Sequence, residues 1–298
     1  MTRRKVMALM AASLARAAGR LPANKNVKWA LGTNLWNYFP RVAFTDILDV
    51  MRDTGFIGAR LTQFPKILET YGITAAQMRR EADRRGCRVV TISFNGAAHV
   101  RERRGEVIAD ARKAMGFLKD FGANHLVVFS PGRNNSGEAG FGAMCECFNE
   151  IGRAAREMGF YAGLHNHLGQ MVETREEIEQ CMALTDPKLF YFSPDTAHLH
   201  LAGCDAVKTL EKYKARLMMA DYKDARRAAN TTPDKLDRNA IFDLGDGEID
   251  FPGCHRVLKS IGFQGWLVVD LDIARHGPRA SYERSGKYVV KKLEPVYV

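Results

Sequence analysis

The chain lacks three features that would place it in other protein classes. Its six cysteines include no Cys-x-x-Cys pair, which argues against a structural zinc site or a disulfide framework and favours small buried side chains. No apolar run is long enough to cross a bilayer as a helix. No linker rich in proline, glycine or serine divides its 298 residues, so the 46% apolar content predicts one domain with a large core.

Acidic side chains are absent before Asp46, so the net charge of +10 is concentrated near the N-terminus. The first 28 residues carry seven cations, and without them 37 cations face 34 anions, a charge of +3. A body this mildly basic does not have the charge pattern of a nucleic-acid-binding domain, and we predict no nucleic-acid partner.

Residues 1–26 are predicted to form a basic N-terminal segment, and residues 27–298 the folded domain. Thr2–Met7 (Thr-Arg-Arg-Lys-Val-Met) resembles a twin-arginine export motif, and a short apolar run and the small-x-small sequence Ala15–Ala17 follow it. Export to the periplasm is the favoured interpretation. The alternative is a basic amphipathic helix retained on a cytoplasmic protein.

From Trp29 onward, short β-rich runs alternate with longer amphipathic stretches, a pattern typical of repeated βα units. Glycines at 86, 122, 159 and 262 are placed to end helices in the left-handed conformation. Eight strands over this length predict an α/β fold, a single (β/α)8 TIM barrel. The predicted strands are Trp29–Thr33, Ala59–Thr62, Arg88–Ser93, His125–Ser130, Tyr161–His165, Phe190–Asp195, Leu217–Tyr222 and Trp266–Asp270.

A long polar connection, Lys223–Gly247, separates the last two predicted strands. Loops of this length in compact domains are usually functional or disordered. A substrate lid and a mobile surface loop are both consistent with its sequence.

Ionisable residues end four successive predicted strands: His165 with His167 two positions later, then Asp195, Asp221 and Asp270. Singly, each has an ordinary interpretation as a hydrogen-bonded histidine, a helix cap or a solvated charge. Together they would converge at the barrel mouth, where α/β barrels place their chemistry. One imidazole and three carboxylates suit one divalent ion, with Mn²⁺ favoured and Mg²⁺, Co²⁺ or Zn²⁺ as alternatives.

The chain resembles the sugar isomerase/epimerase superfamily of xylose-isomerase-like TIM barrels, and within it the inosose dehydratases. The resemblance is carried by Asp195–Gly203, Tyr222–Asp224, Leu244–Phe251 and Gly265–Asp272. It implies metal ligands at His165, Asp195, Asp221 and Asp270, and a metal or substrate contact at His198. Two positions depart from the usual pattern, because Asp221 replaces a histidine and Asp270 replaces a glutamate.

The leading hypothesis is a metal-dependent enzyme that isomerises, epimerises or dehydrates a polyol-derived ketone, a keto-sugar or keto-inositol. The metal would acidify the C–H bond next to the carbonyl, and His167 or Asp270 would take the proton. Lys223 would stabilise the developing oxyanion. Substrate contacts are predicted at His198, Trp36 and Asp224. The only partner predicted is this small molecule, with no membrane span and with homo-oligomer formation left open.

Two other functions stay open at the level of sequence. Loss of the usual glutamates fits a non-catalytic carbohydrate-binding barrel. A relative of the endonucleases that cut DNA at abasic sites is the third candidate, but such an enzyme needs a larger metal cluster and a more basic surface.

Overall fold

The computed structural model describes residues 21, 26–38, 42–133, 136–231 and 237–297. Eight strands alternate with one main helix each. The strands are β1 (Val27–Gly32), β2 (Gly58–Leu61), β3 (Arg88–Phe94), β4 (His125–Phe129), β5 (Tyr161–His165), β6 (Phe190–Phe192), β7 (Ala220–Tyr222) and β8 (Gly265–Val269). The main helices are α1 (Phe44–Thr54), α2 (Ala75–Arg84), α3 (Arg104–Lys119), α4 (Gly137–Glu157), α5 (Arg175–Leu184), α6 (Ala206–Tyr213), α7 (Phe251–Ser260) and α8 (Pro278–Tyr288).

Shorter helical turns occupy the connections and the C-terminus. Thr196–Leu201 follows β6 and matters for the site. The others are Asn34–Tyr38, Lys66–Thr70, Arg101–Arg103, Lys214–Arg216, Arg227–Ala229, Arg238–Ala240, Val289–Leu293 and Glu294–Tyr297.

The strands form one parallel sheet that closes on itself, which confirms the predicted TIM barrel. Hydrogen-bonded neighbours run from β6 through β5, β4, β3, β2 and β1 to β8 and β7. Two parallel bridges, Phe192 to Leu217 and Asp195 to Asp221, join β6 to β7 and complete the circle. Strand β6 is shorter than predicted because Pro194, which has no N–H, cannot continue the ladder.

The barrel interior is layered. A compact apolar group fills its lower part, including Ala30, Val90, Val127 and Val268. Side chains alternate between the two faces of a strand, so a residue two positions further on points to the same interior, one layer higher. The layer above the apolar group therefore receives residues 32, 129 and 270, and it is here that charged side chains collect.

Two smaller predictions are also confirmed. The glycines at positions 86, 122, 159 and 262 all have positive φ, between 59° and 78°. All six cysteines are buried and none forms a disulfide, as expected of small core side chains.

The Lys223–Gly247 connection is ordered over much of its described length. Asp224–Ala225 pairs with Ile241–Phe242 in a short antiparallel ribbon. The Phe242 ring lies between two guanidinium groups, Arg226 at 4.4 Å and Arg275 at 4.0 Å from its centroid. These contacts attach the described parts of the connection to the loop that follows β8.

Most of the predicted N-terminal segment, including the export motif, lies outside the described residues. Leu21 is an exception: it is buried, and its N–H donates to the Gly55 carbonyl at the end of α1 (3.0 Å). Residue 21 thus packs on the barrel, although we predicted that the domain begins near residue 27. No helix among the described residues is long and apolar enough to cross a membrane.

Candidate functional site

Three buried side chains form a compact group of possible metal ligands at the carboxyl ends of β5, β6 and β7. His165, Asp195 and Asp221 each offer one donor atom, and these atoms all lie within 4.8 Å of one another. His165 Nδ1 is 3.3 Å from Asp221 Oδ2, and His165 Nε2 is 3.7 Å from Asp195 Oδ2. Asp221 Oδ1 is buried and has no hydrogen-bond partner among the described residues.

Asp195 is oriented by hydrogen bonds to the helix that follows it and to Asn166, which follows β5. Its Oδ1 accepts the N–H groups of Ala197 (2.9 Å) and His198 (3.1 Å) and so caps the helix Thr196–Leu201. The buried amide of Asn166 accepts the Asp195 N–H at 3.0 Å. The capping that we considered as an alternative to ligation is therefore real, but it uses only Oδ1 and leaves Oδ2 pointing to the group.

Lys223 lies at the centre of a set of carboxylates. Its Nζ is 3.1 Å from Asp195 Oδ2, 2.6 Å from Asp270 Oδ2 and 2.9 Å from Asp272 Oδ2. The side chain is only 2% exposed. Its charge is already compensated by these neighbours, so the geometry favours a role in holding the carboxylates over the predicted role at a substrate oxyanion.

Asp270 lies outside the compact group, directly after β8, between β7 and β1. Its Oδ1 is 2.8 Å from Arg60 NH2, and its Oδ2 forms an ion pair with Lys223 Nζ at 2.6 Å. The same guanidinium reaches Asp221 Oδ2 at 3.2 Å and donates to Ser93 Oγ at 3.1 Å. The structure thus brings three of the four predicted metal ligands together and pairs the fourth with two cations.

The charges of this layer do not balance. Four carboxylates, Asp195, Asp221, Asp270 and Asp272, face two cations, Arg60 and Lys223, which leaves a net charge of −2. Burial raises the pKa of Asp195 to about 6 and that of Asp221 well above its usual range. Burial acts on Asp270 in the same direction, but Arg60 and Lys223 outweigh it and bring its pKa down to about 2. A dication at the compact group would neutralise the layer.

Two stacked histidines stand beside the group. The rings of His167 and His198 are 3.7 Å apart between centroids. His167 Nδ1 is 2.6 Å from the Leu168 carbonyl, which only accepts, so Nδ1 carries the proton and Nε2 keeps a free lone pair. His198 Nδ1 accepts the Leu168 N–H at 3.3 Å, and its Nε2 lies 3.5 Å from Lys223 Nζ. Burial lowers the pKa of both rings, and His167 is the one that is partly exposed.

Two of the predicted substrate contacts, Asp224 and Trp36, are buried and interact with other parts of the protein. Asp224 is buried, and its carboxylate accepts the N–H groups of Gly245 (2.8 Å), Gly247 (2.9 Å) and Ala225 (3.0 Å). These bonds give Asp224 a role in shaping the loop, and its predicted contact with substrate stays a prediction. Trp36 is buried after the end of β1 and stacks on Tyr282 with ring centroids 5.6 Å apart, so it can contribute only to the wall of the site.

Sequence reasoning missed Arg60 and Asn34. Asn34 Nδ2 donates to Asp272 Oδ1 at 2.7 Å and connects the turn after β1 to the carboxylates. The signal for Arg60 was present: it is a charged residue inside the apolar run Gly58–Leu61, at an alternating position that points to the barrel interior.

Comparison with known proteins identifies the family. The family model of the xylose isomerase-like TIM barrel matches residues 47–291 of this chain. An inosose dehydratase of Clostridium perfringens is 32% identical over 200 residues, which cover 59% of this chain and 67% of that protein.

Solved structures agree on the fold. A sugar phosphate isomerase/epimerase from Parabacteroides distasonis superposes with a TM-score of 0.72 at 19% identity, covering 95% of this chain and 97% of that one. A structure described as IolI protein with a binding zinc atom gives a TM-score of 0.74 at 14% identity, covering 90% and 99%. The chain belongs to the xylose isomerase-like TIM-barrel family and is an enzyme of that superfamily.

Proposed function

We propose that this protein is a divalent-metal-dependent enzyme that moves a proton at the carbon next to the carbonyl of a keto-sugar or keto-inositol. The observation that carries the proposal is the group formed by His165, Asp195 and Asp221, whose donor atoms lie within 4.8 Å of one another. Carboxylate and imidazole donors suit Mn²⁺, Mg²⁺, Co²⁺ or Zn²⁺.

The residues present fit such an ion. Asp221 Oδ1 is buried and has no hydrogen-bond partner among the described residues, while Asp221 Oδ2 faces Arg60 (3.2 Å) and Asp195 Oδ2 faces Lys223 (3.1 Å). An uncompensated charge of −2 in a buried layer is costly unless a cation or protons neutralise it. The zinc atom of the structural neighbour supports a metal in this fold, but does not select among the candidate ions. When bound, a divalent ion supplies Lewis acidity that polarises the substrate carbonyl.

His167 is the proposed base. Its Nε2 lone pair takes the proton from the carbon next to the carbonyl, while the Nδ1–H bond to the Leu168 carbonyl holds the ring in this tautomer. Asp270 is the weaker candidate, because both of its oxygens are paired with cations. His198 Nε2 lies 3.5 Å from Lys223 Nζ and 3.8 Å from Asp195 Oδ2, so this ring is the proposed wall beside the metal group and the base.

The enediolate that results has three outcomes. Return of the proton to the neighbouring carbon gives isomerisation, return to the opposite face of the same carbon gives epimerisation, and loss of a β-hydroxyl as water gives dehydration. The similarity to an inosose dehydratase supports dehydration of a keto-inositol as the first reaction to test.

The test begins with elemental analysis of the purified full chain, followed by incubation with inososes and keto-sugars in deuterated water. We expect about one divalent ion per chain, deuterium exchange next to the carbonyl, and a dehydrated product from an inosose. Asp195→Asn should lose metal and exchange together, since asparagine still caps the helix but has no charge. Asp83→Asn, an exposed aspartate on α2, is the matched control and should change neither. The proposal would be refuted if the wild-type protein held no divalent ion, or if it exchanged no proton of any ketone in the panel.

A further inference from the structure

Arg60 is buried beside the proposed metal group without belonging to it. It lies in β2, next to Gly32 of β1 in the sheet, and is 2% exposed. A buried guanidinium needs carboxylate partners, and Arg60 has two of them, on β7 and β8. Its planar fork therefore fixes the distance between two carboxylates, which a lysine, with its single point charge, cannot do.

The two carboxylates differ in what remains free. Asp270 has Arg60 on Oδ1 (2.8 Å) and Lys223 on Oδ2 (2.6 Å), so each oxygen faces a cation. Asp221 has only its Oδ2 on Arg60, at 3.2 Å, and its Oδ1 has no cation within ion-pair distance. To reach the metal group, Asp270 would have to leave both cations, whereas Asp221 is already there.

Gly32 makes the position of Asp270 possible. A Cβ at residue 32 would lie 1.9 Å from Asp270 Oδ1 and 3.0 Å from Asp270 Cγ. The carboxylate therefore occupies the space that any side chain at residue 32 would fill. This cradle lies where β8 meets β1, one strand away from β7, and the Asp270 carboxylate is not part of the group of donor atoms within 4.8 Å of one another.

We propose that Arg60 is a positioning residue that holds Asp270 out of the metal coordination sphere, so that the ion has only His165, Asp195 and Asp221 as protein ligands. Asp270 then stays a non-coordinating carboxylate in a position where a metal ligand would be expected from the family resemblance. This inference rests on the metal site of the proposed function.

The experiment measures metal affinity and coordination, not turnover. Metal-free full-length protein is titrated with Zn²⁺ against a competing chelator and with Co²⁺, whose visible spectrum reports the number and type of ligands. Asp270→Asn is compared with Asp272→Asn, which removes the same charge from the same lysine. We expect the two variants to weaken Zn²⁺ binding to within about threefold of each other, and both to keep the wild-type Co²⁺ spectrum. Asp221→Asn should weaken binding at least tenfold more than either.

The role of Arg60 is tested by a double-mutant cycle. In an Arg60→Gln background only Lys223 still holds Asp270, and Oδ1 is released to turn toward the ion. The Co²⁺ spectrum should then change, and Asp270→Asn should now weaken binding at least tenfold more than Asp272→Asn. If Arg60→Gln does not fold, Arg60→Lys, which keeps the charge but not the fork, takes its place in the cycle. The comparison in the wild-type background decides whether Asp270 coordinates the ion. The inference is overturned if Asp270→Asn there weakens binding as much as Asp221→Asn. If the wild type binds neither ion, both the proposed metal-dependent function and this inference are refuted.

Discussion

Replacing His167 by asparagine removes the proposed base with little other change. The side-chain amide of asparagine reaches the position of Nδ1, so it can still donate to the Leu168 carbonyl, but nothing replaces the Nε2 lone pair. General-base catalysis contributes about 10²–10⁴-fold to turnover. The expected rise in the barrier is therefore about 2.7–5.5 kcal/mol. Metal affinity should change little, because the proposed ligands and their cations are untouched.

The assay is deuterium exchange and product formation on the best ketone of the panel, with the metal content of each protein measured beforehand. The loss should appear in kcat and leave the substrate Kd within a few-fold of wild type. His200→Asn is the control, since His200 pairs with Glu248 (2.9 Å), apart from the carboxylate layer. Exchange by His167→Asn at the wild-type rate and metal content would show that another group is the base.

Two further predictions concern stability. In Asp224→Asn, an amide NH2 replaces one carboxylate oxygen and faces two loop N–H groups that this oxygen now accepts, either Gly245 and Gly247 or Ala225 and Ile249. The free energy of unfolding should fall by about 3 kcal/mol, which lowers Tm by about 5 °C. An unchanged melting curve, like that expected for Asp246→Asn at a half-buried surface ion pair with Arg284, would contradict this. Burial lowers the pKa of His255 to about 4, so the unfolded chain binds this proton first as the pH falls below 6.5. His255 should therefore cost the folded state about 2 kcal/mol between pH 7 and pH 5. Urea titrations of His255→Gln should lose that part of the pH dependence, and an equal slope in both proteins would refute the assignment.

Much of the barrel is readable from local sequence because each βα unit repeats the same signals. An apolar run ends in polar residues, an amphipathic helix follows, and a glycine ends several of the helices. The predicted bounds of β5 match the structure, while β6 and β7 are shorter than their apolar runs. The reason lies in pairing: Pro194 interrupts β6, and only isolated bridges connect it to β7, so apolar content alone overestimates strand length.

The site was predictable only in part, since strand ends reveal which residues meet but not how their charges pair. The grouping of His165, Asp195 and Asp221 follows from parallel strands that end at one rim. The position of Asp270 depends instead on Arg60, which reaches across β1 to β8 and β7. No local pattern records that contact, because it exists only after the barrel has closed.

The departures of this chain from the pattern implied by its resemblance to the sugar isomerases are physically linked. Where that pattern has a histidine at the end of β7, this chain has Asp221, which adds a buried negative charge to the layer. Arg60, 3.2 Å from Asp221 Oδ2, supplies the matching positive charge. The guanidinium then also captures Asp270, whose side chain is one methylene shorter than the usual glutamate. The additional carboxylate at residue 221 thus faces a buried guanidinium, and the net charge of the layer is −2.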